Sequence, residues 1–418
     1  TMKNILTILF VTGFLFNSSA QTVTDTVSIG AAYSNQVWYS LHNNEQATDP
    51  INNWEIAIAA TSNQVNPLTT AIHFNFKIGS LYEIPGSSPA NFATADTSGI
   101  NSWTALYNSD NTWAEGAFNN TTSLGGFDYG WGSYNSVTHN VDPNRVFVIR
   151  YNTTPVSYKK LHIGLNAMAG VYTITHANLD NSNQLSQQIT VSTYSSKNFI
   201  YYSLSTSNII DREPAKTSWD LLFGQYQSFD YNPPYTVSGI LNNHGIESVK
   251  VYPVNNPVSY TNWGAQTFTQ NISEIGYDWK AFAGVWTIED STVYFVKDVS
   301  GDIWKIIFTG FGGSTNGNYI FTKQKLSSVG IDETGGSLTI DVFPNPNDGQ
   351  FIIVGNGTED PFNIIIMDLT GREVYNEIIA TGNGLFKRNI VLSGITPGVY
   401  LMNLIQGERM ISKKIVIR

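Results

Sequence analysis

Six histidines are the side chains of this sequence best suited to hold a metal or move a proton: His42, His73, His139, His162, His176 and His244. None sits in a Gly-x-Ser-x-Gly elbow or a His-Glu-x-x-His motif, and cysteine is absent. Serine triads, thiolate chemistry and a zinc-peptidase centre are therefore not written here. Calcium loops need aspartates at alternate positions, and none is dense enough. Glycoside hydrolysis needs two carboxylates across a cleft. Asp211, Glu213 and Asp220, or Glu289 and Asp290, are near enough in sequence to be weighed, but nearby acids are more simply solvated surface.

His139 stands apart. It follows Trp131 by eight residues and Tyr134 by five, just before an Asp142-Pro143-Asn144 turn. An exposed imidazole beside aromatics suits an axial position on haem, which needs a nitrogen ligand and flat apolar walls. His139 is the candidate for both cofactor binding and metal ligation, against the plainer reading of a loop histidine. His73, in Ile72-His73-Phe74, is the second cofactor-binding candidate, and strand alternation turns it away from those neighbours. His162 lies between Leu161 and Ile163 and reads as structural. His176 ends a strand and is expected to be solvated, and His42 and His244 sit in asparagine-rich turns.

The elements that must position these residues are strands. A chain of 418 residues is too long for one ordinary core. Charged residues make up 13%, about half the usual share, and Asn, Thr, Ser and Gly replace them, as in an exported all-β protein. A net charge of −10 with no basic run excludes a nucleic-acid partner. Without cysteine, stability rests on packing. Lys3, the apolar run Ile5 to Phe16 and Ser18-Ser19-Ala20 predict a signal peptide over 1–20, too short to span a bilayer.

The middle of the chain repeats itself. Val37-Trp38-Tyr39-Ser40-Leu41 returns as Ile200-Tyr201-Tyr202-Ser203-Leu204, and Asn53-Trp54-Glu55-Ile56 as Ser218-Trp219-Asp220-Leu221. Tyr129-Gly130-Trp131 returns as Tyr277-Asp278-Trp279, Val146 to Arg150 as Val293 to Lys297, Lys160-Leu161 as Lys305-Ile306, and Gly170 to Thr175 as Gly317 to Thr322. Six blocks in one order, with offsets between 145 and 165 residues, predict two tandem copies over 21–195 and 196–327. The stretch from Ser87 to Leu124 reads as a long decorated loop outside the core. A linker over 328–337 leads to short apolar runs between turns over 338–418, the pattern of a small β-sandwich.

That last segment resembles the type A sorting domain of type IX secretion cargo. The resemblance rests on Val342-Phe343-Pro344-Asn345-Pro346 with Gly349-Gln350-Phe351, on Asp368 to Val374 around Gly371, on Pro397-Gly398-Val399-Tyr400, and on Lys413-Lys414-Ile415-Val416-Ile417. It implies a partner in the type IX secretion machinery and a place outside the cell or on the outer-membrane surface of a Gram-negative bacterium of the Bacteroidetes. Pro344 and Pro346 each lack a backbone donor, and Gly349 and Gly371 permit tight reversal.

The tandem copies are similar to the HmuY family of haem-binding surface proteins, on Trp219-Asp220-Leu221-Leu222-Phe223-Gly224, Trp131 to His139, and Val146 to Arg150 followed by Lys160-Leu161. The resemblance implies haem as cofactor, held by paired axial residues, with His139 the matched ligand. The family's lipidated cysteine is missing, so the sorting domain would replace that anchor. A non-enzymatic binding protein is expected. The alternative is a module for a surface glycan or protein, with Trp103, Trp113 and Trp263 stacking on sugar rings; a hydrolase comes third.

Overall fold

β-Branched and aromatic residues in short alternating runs favour pleated, half-buried strands, and such runs build this chain throughout. The computed structural model describes residues 22–60, 70–327, 340–357, 361–379, 384–406 and 409–418. The expected signal peptide and linker lie outside these residues. The chain divides into two compact units between residues 328 and 329. Among the described residues the only α-helical segment is the four-residue turn Gly313–Asn316, so the all-β expectation holds. No helix among them is long and apolar enough to cross a membrane.

In the first unit the strands run β1 (Val23–Ser28), β2 (Asn35–Ser40), β3 (Asn44–Pro50), β4 (Ile56–Ala59), β5 (Ile72–Phe74) and β6 (Gly79–Glu83). There follow β7 (Gly132–Asn135), β8 (Asn140–Pro143), β9 (Phe147–Tyr151), β10 (Tyr158–Asn166), β11 (Val171–Asn178) and β12 (Leu185–Thr190). Then come β13 (Phe199–Ser203), β14 (Asn208–Ile210), β15 (Leu221–Ser228), β16 (Tyr235–Asn242) and β17 (Glu247–Val251). The unit closes with β18 (Lys280–Phe282), β19 (Trp286–Ile288), β20 (Val293–Lys297), β21 (Ile303–Phe311) and β22 (Asn318–Ser327).

Two strand orders occur twice. One sheet runs β1-β22-β21-β20-β17, and a larger sheet contains β12-β11-β10-β9-β6 with β8 and β7 attached at β10. The four-stranded sheets run β3-β2-β15-β16 and β14-β13-β4-β5. Three pairings cross residue 195: Val27 faces Tyr319, Val37 faces Phe223, and Ile58 faces Ile200. The first strands of each half are thus built into sheets with strands of the other half.

Three cores follow. One surrounds Trp131 with Ile58, Phe147, Ile163, Tyr172 and Tyr202. Another surrounds Trp279 with Val37, Tyr39, Phe223, Phe308 and Phe321. Between them Trp38, Trp54, Tyr201 and Trp219 form a third, with the Arg212 guanidinium 5.1 Å from the Trp38 ring and 5.2 Å from that of Tyr201. Buried acids tie strand ends across the halves. Asp220 accepts from the N–H groups of Leu41 (2.7 Å) and Val299 (2.8 Å), and Glu55 accepts from that of Leu204 (2.9 Å).

Residues 87–124 are not merely decoration. Phe92 and Ile100 are buried against Val146 and Val148, and the buried Lys160 donates to the Ala93 carbonyl at 3.2 Å. Lys305 holds the loop around Val258 in the same manner, at 2.6 Å from its carbonyl. A lysine stem under a loop with its ammonium on a carbonyl covers apolar surface and satisfies the charge together.

The second unit carries β23 (Ile340–Phe343), β24 (Gln350–Gly357), β25 (Phe362–Asp368), β26 (Glu373–Ile379), β27 (Gly384–Val391), β28 (Gly398–Gln406) and β29 (Arg409–Ile417). They form sheets β23-β24-β27 and β26-β25-β28-β29. Alternating residues Ile353, Ile364, Ile366, Met402, Leu404 and Ile415 bury the inner faces.

Candidate functional site

The β7–β8 hairpin is built by its asparagines. Asn135 Oδ1 accepts from the N–H groups of Val137 and Thr138, and its carbonyl accepts from that of His139 at 2.8 Å. This turn puts His139 at φ 57°, a left-handed conformation that β-branched residues resist and histidine tolerates. The imidazole is exposed. Its Nδ1 lies 2.7 Å from the Tyr134 hydroxyl, and Phe127 meets the Tyr134 ring edge-on at 6.1 Å. Among the described residues no hydrogen-bond partner meets His139 Nε2. Val137 on the same turn is 87% exposed, and Leu124 and Phe127 on the loop before β7 are 65% and 74% exposed, so this end of the unit presents apolar side chains to solvent beside an open imidazole.

The loop carrying Leu124 and Phe127 is fixed from below. Asp128 accepts from the N–H groups of Leu124 (2.7 Å) and Gly130 (3.0 Å), and Arg145 grips the same carboxylate at 2.7 and 2.9 Å. Burial pushes the Asp128 carboxyl up, but the hydrogen bonds from Arg145, Leu124 and Gly130 outweigh it and hold the group well below the usual carboxylate range. Nothing in the sequence marked Asp128 and Arg145 as a pair.

His73 is placed differently. It lies on β5, 5% exposed, with Nε2 2.9 Å from the Trp113 carbonyl and its ring edge-on to Phe199 at 4.8 Å. Burial pushes its pKa down to about 4, against the Trp113 hydrogen bond. A neutral imidazole already bonded to a carbonyl is a core histidine, and the structure does not bring it to the exposed tip where His139 stands. His162 packs edge-on to Phe92 at 5.2 Å.

The expectation of a solvated His176 is overturned. It is 1% exposed, and its Nε2 lies 3.1 Å from the Tyr202 hydroxyl. Lys323, which repeats its position, is equally enclosed and donates to the Tyr39 hydroxyl at 2.6 Å. The tyrosine comes in each case from the strand supplied by the other half, a partner that strand alternation cannot reveal. Burial, helped by Lys159, pushes His176 down to about 4.

The acids weighed for catalysis are taken up elsewhere. Asp211 is exposed and pairs with Lys197 at 2.9 Å. Glu213 is 2% exposed, and its two oxygens accept from the N–H groups of Asn198 (3.0 Å) and Phe199 (2.9 Å). Asp220 ties two strands as described. Glu289 accepts from the Ser291 N–H and Asp290 from the Ser291 hydroxyl, both at 3.1 Å. An open cleft of about 580 Å³ is lined by Lys216, His244, Glu247, Lys297 and Asp298 together with Ile246 and Val299. Among the described residues no group of three or more His, Asp or Glu is placed to hold a metal ion.

The tryptophans proposed for sugar stacking serve packing. Trp113 donates to the Asn242 carbonyl at 2.8 Å, Trp103 leans on Tyr82, and Trp263 packs with Val254 and Phe295. Exposed rings cluster on the loop between β15 and β16 instead. Tyr231 and Tyr235 are 58% and 64% exposed, with centroids 5.8 Å apart, and Phe229 meets Tyr107. Asp230 accepts from the Tyr277 hydroxyl at 2.8 Å and the Ser228 hydroxyl at 3.0 Å, which pins that loop.

In the second unit the proline turn has a defined job. Asn345 lies between Pro344 and Pro346; its Nδ2 donates to the Lys414 carbonyl (2.8 Å) and its Oδ1 accepts from the Val416 N–H (2.8 Å). The Asn347 N–H donates to the Val416 carbonyl at 3.0 Å, and the Arg418 N–H to the Asn347 carbonyl at 2.9 Å. The turn thus occupies the open edge of β29, a row of groups that otherwise invites another strand. Gly349 has φ 94°, and a Cβ there would lie 2.9 Å from the Leu392 carbonyl oxygen. Gly371 has φ 86° in a turn whose N–H groups at Thr370 and Arg372 bond Asp368. Pro397 and Gly398 lead into β28, where the Tyr400 hydroxyl donates back to the Thr396 carbonyl at 2.7 Å. Lys413 and Lys414 are exposed on β29, while Ile415 and Ile417 are buried.

Residues 341–418 match the family described as the secretion system C-terminal sorting domain, within the boundaries expected from the sequence. The chain carries a tail that directs export by type IX secretion to the cell surface or beyond. No curated protein matches the chain. Among solved structures it is similar to dimeric latent PorU from Porphyromonas gingivalis, at 11% identity and a TM-score of 0.19, over 83% of this chain and 31% of that one. It is also similar to a mutant trimeric ectodomain of the C. elegans fusion protein EFF-1, at 9% identity and a TM-score of 0.16, over 66% and 68% of the two chains. The chain spans under a third of the PorU chain, and likenesses this remote define no shared fold.

Proposed function

We propose that this chain is an exported, non-enzymatic binding protein that captures haem at the β7–β8 tip through His139. The observation that carries the reading is an exposed imidazole whose Nδ1 is fixed by Tyr134, with the exposed Phe127 ring against that tyrosine. Fixing one ring nitrogen aims the other, which is what an axial ligand requires. Apolar side chains beside it suit a flat porphyrin face. His139 would hold the iron through Nε2, the ring nitrogen that Tyr134 leaves free. The likeness of Trp131 to His139 to the HmuY family points the same way.

We further read residues 21–327 as two HmuY-like copies that have exchanged their first strands. The matching strand orders support this, as do the equivalent pairs Glu55 and Asp220, His176 and Lys323, and Lys160 and Lys305.

Haem titration of the purified chain, followed by absorbance, tests the site. A saturable Soret shift is expected, with affinity falling at least about tenfold in His139→Ala. The variant keeps its stability, because the residue is exposed. Absence of a shift, or an equal shift in the variant, removes the haem reading.

A glycan is the second reading, favoured by Tyr231 and Tyr235. Two exposed rings beside Asp230, with no cation in the group, suit a neutral sugar better than an anionic one. Electrophoresis through soluble neutral glucan or mannan is then expected to retard the chain, and Tyr231→Ala with Tyr235→Ala to abolish the retardation. Unretarded migration of the parent chain would dismiss it.

A further inference from the structure

The β18–β19 hairpin leaves Trp279 as the β7–β8 hairpin leaves Trp131, but it carries no histidine. Residues 281–287 read Ala-Phe-Ala-Gly-Val-Trp-Thr, and all seven are exposed. Phe282 is 63% exposed, Val285 68% and Trp286 36%. No charged side chain lies among them, and the whole chain is acidic at −10. Six consecutive exposed apolar residues are costly in water unless something covers them.

The tip is held out firmly. Phe282 faces Trp286 across the hairpin, and the Ala283 N–H donates to the Val285 carbonyl at 3.1 Å. Trp286 meets Phe311 edge-on at 4.9 Å. At the base Lys280 is 8% exposed and donates to the carbonyls of Ser238 (2.6 Å) and Tyr277 (3.2 Å). Its ammonium lies 4.4 Å from the Trp279 ring and 4.6 Å from that of Phe311. The hairpin root is therefore fixed, and the apolar tip cannot fold back without breaking these contacts.

We propose that the β18–β19 tip inserts shallowly into the surface of a lipid bilayer, with Phe282, Val285 and Trp286 as the anchoring side chains. The three expose only about 300 Å², well under the roughly 800 Å² per partner of a stable protein interface. A bilayer sets no such threshold. It also asks for no side-chain donors or acceptors, and the side chains of the tip offer none beyond Thr287 and the Trp286 indole. Aromatic rings beside aliphatic ones sit well at the boundary between headgroups and acyl chains. The absence of cations commits the contact to zwitterionic rather than anionic lipid. Only the tip enters, and shallowly, because at headgroup depth water still reaches the backbone groups of the turn, which the hydrocarbon would leave unsatisfied.

Flotation of the whole chain with phosphatidylcholine vesicles tests this. The chain is expected to float with the vesicles, to do so equally in molar salt, and to lose about tenfold in bound fraction when Phe282→Ser and Val285→Ser are combined. Both side chains are exposed, so the thermal midpoint should stay that of the parent. A chain that remains in the soluble fraction overturns the proposal. So does a double variant that floats like the parent, or binding that vanishes in molar salt.

Discussion

Arg145→Ala is expected to cost the first unit about 3–5 kcal/mol of stability, the range for removing one partner of a buried ion pair. The Arg145 side chain is 1% exposed, and so is that of Asp128. The guanidinium donates to both Asp128 oxygens, to Glu83 at 3.1 Å, to Asn144 at 2.9 Å and to the Thr122 carbonyl at 2.6 Å. Alanine would leave the Asp128 carboxylate enclosed without its cation and the Thr122 carbonyl without its donor. Loop 121–130 would loosen with it, and Phe127 would no longer back Tyr134, so haem affinity should fall as well. Arg145→Lys keeps the charge but loses the fork, and should recover only part of the loss. Urea unfolding of the three proteins reads the effect. A loss below about 1 kcal/mol for alanine would mean that water replaces the cation and that the pair does not organise the tip.

Stability is expected to fall by roughly 3 kcal/mol between pH 4.5 and pH 8 through Glu213, and Glu213→Gln should flatten that slope. Burial pushes this carboxyl from its ordinary value of 4.5 up to about 7, against the N–H groups of Asn198 and Phe199 and the charge of Lys197. A raised acid binds its proton more tightly in the folded chain. Its contribution is complete below the unfolded value and is lost as pH rises through the folded one. Asp128 works in the opposite direction. Its depressed value supplies stability above the ordinary 3.8, and this is lost as the solution is acidified further. The two together place the maximum near mildly acidic pH. Melting temperatures of parent and Glu213→Gln across that range decide the matter, and parallel curves would show that Glu213 is not the titrating group.

Much was legible because it is local. Strands were legible from β-branched alternation, and turns from Pro344, Pro346, Gly349 and Gly371, since these depend on a residue and its immediate neighbours. His139 could be placed at an exposed turn for the same reason. The Asn345 bridge to Lys414 and Val416 was not legible, because it joins segments 69 and 71 residues apart.

The sequence by itself determined the all-β class, the recurrence of six blocks and the sorting tail. Each is carried by residue type and order alone. Only the tertiary structure decided which strands meet. Period-two alternation tells which face of a strand is apolar but not which strand covers it. Hence the pairing of β1 with β22, β2 with β15 and β4 with β13, the burial of His176 on Tyr202 and of Lys323 on Tyr39, and the outward set of the β7–β8 and β18–β19 tips all waited on the fold.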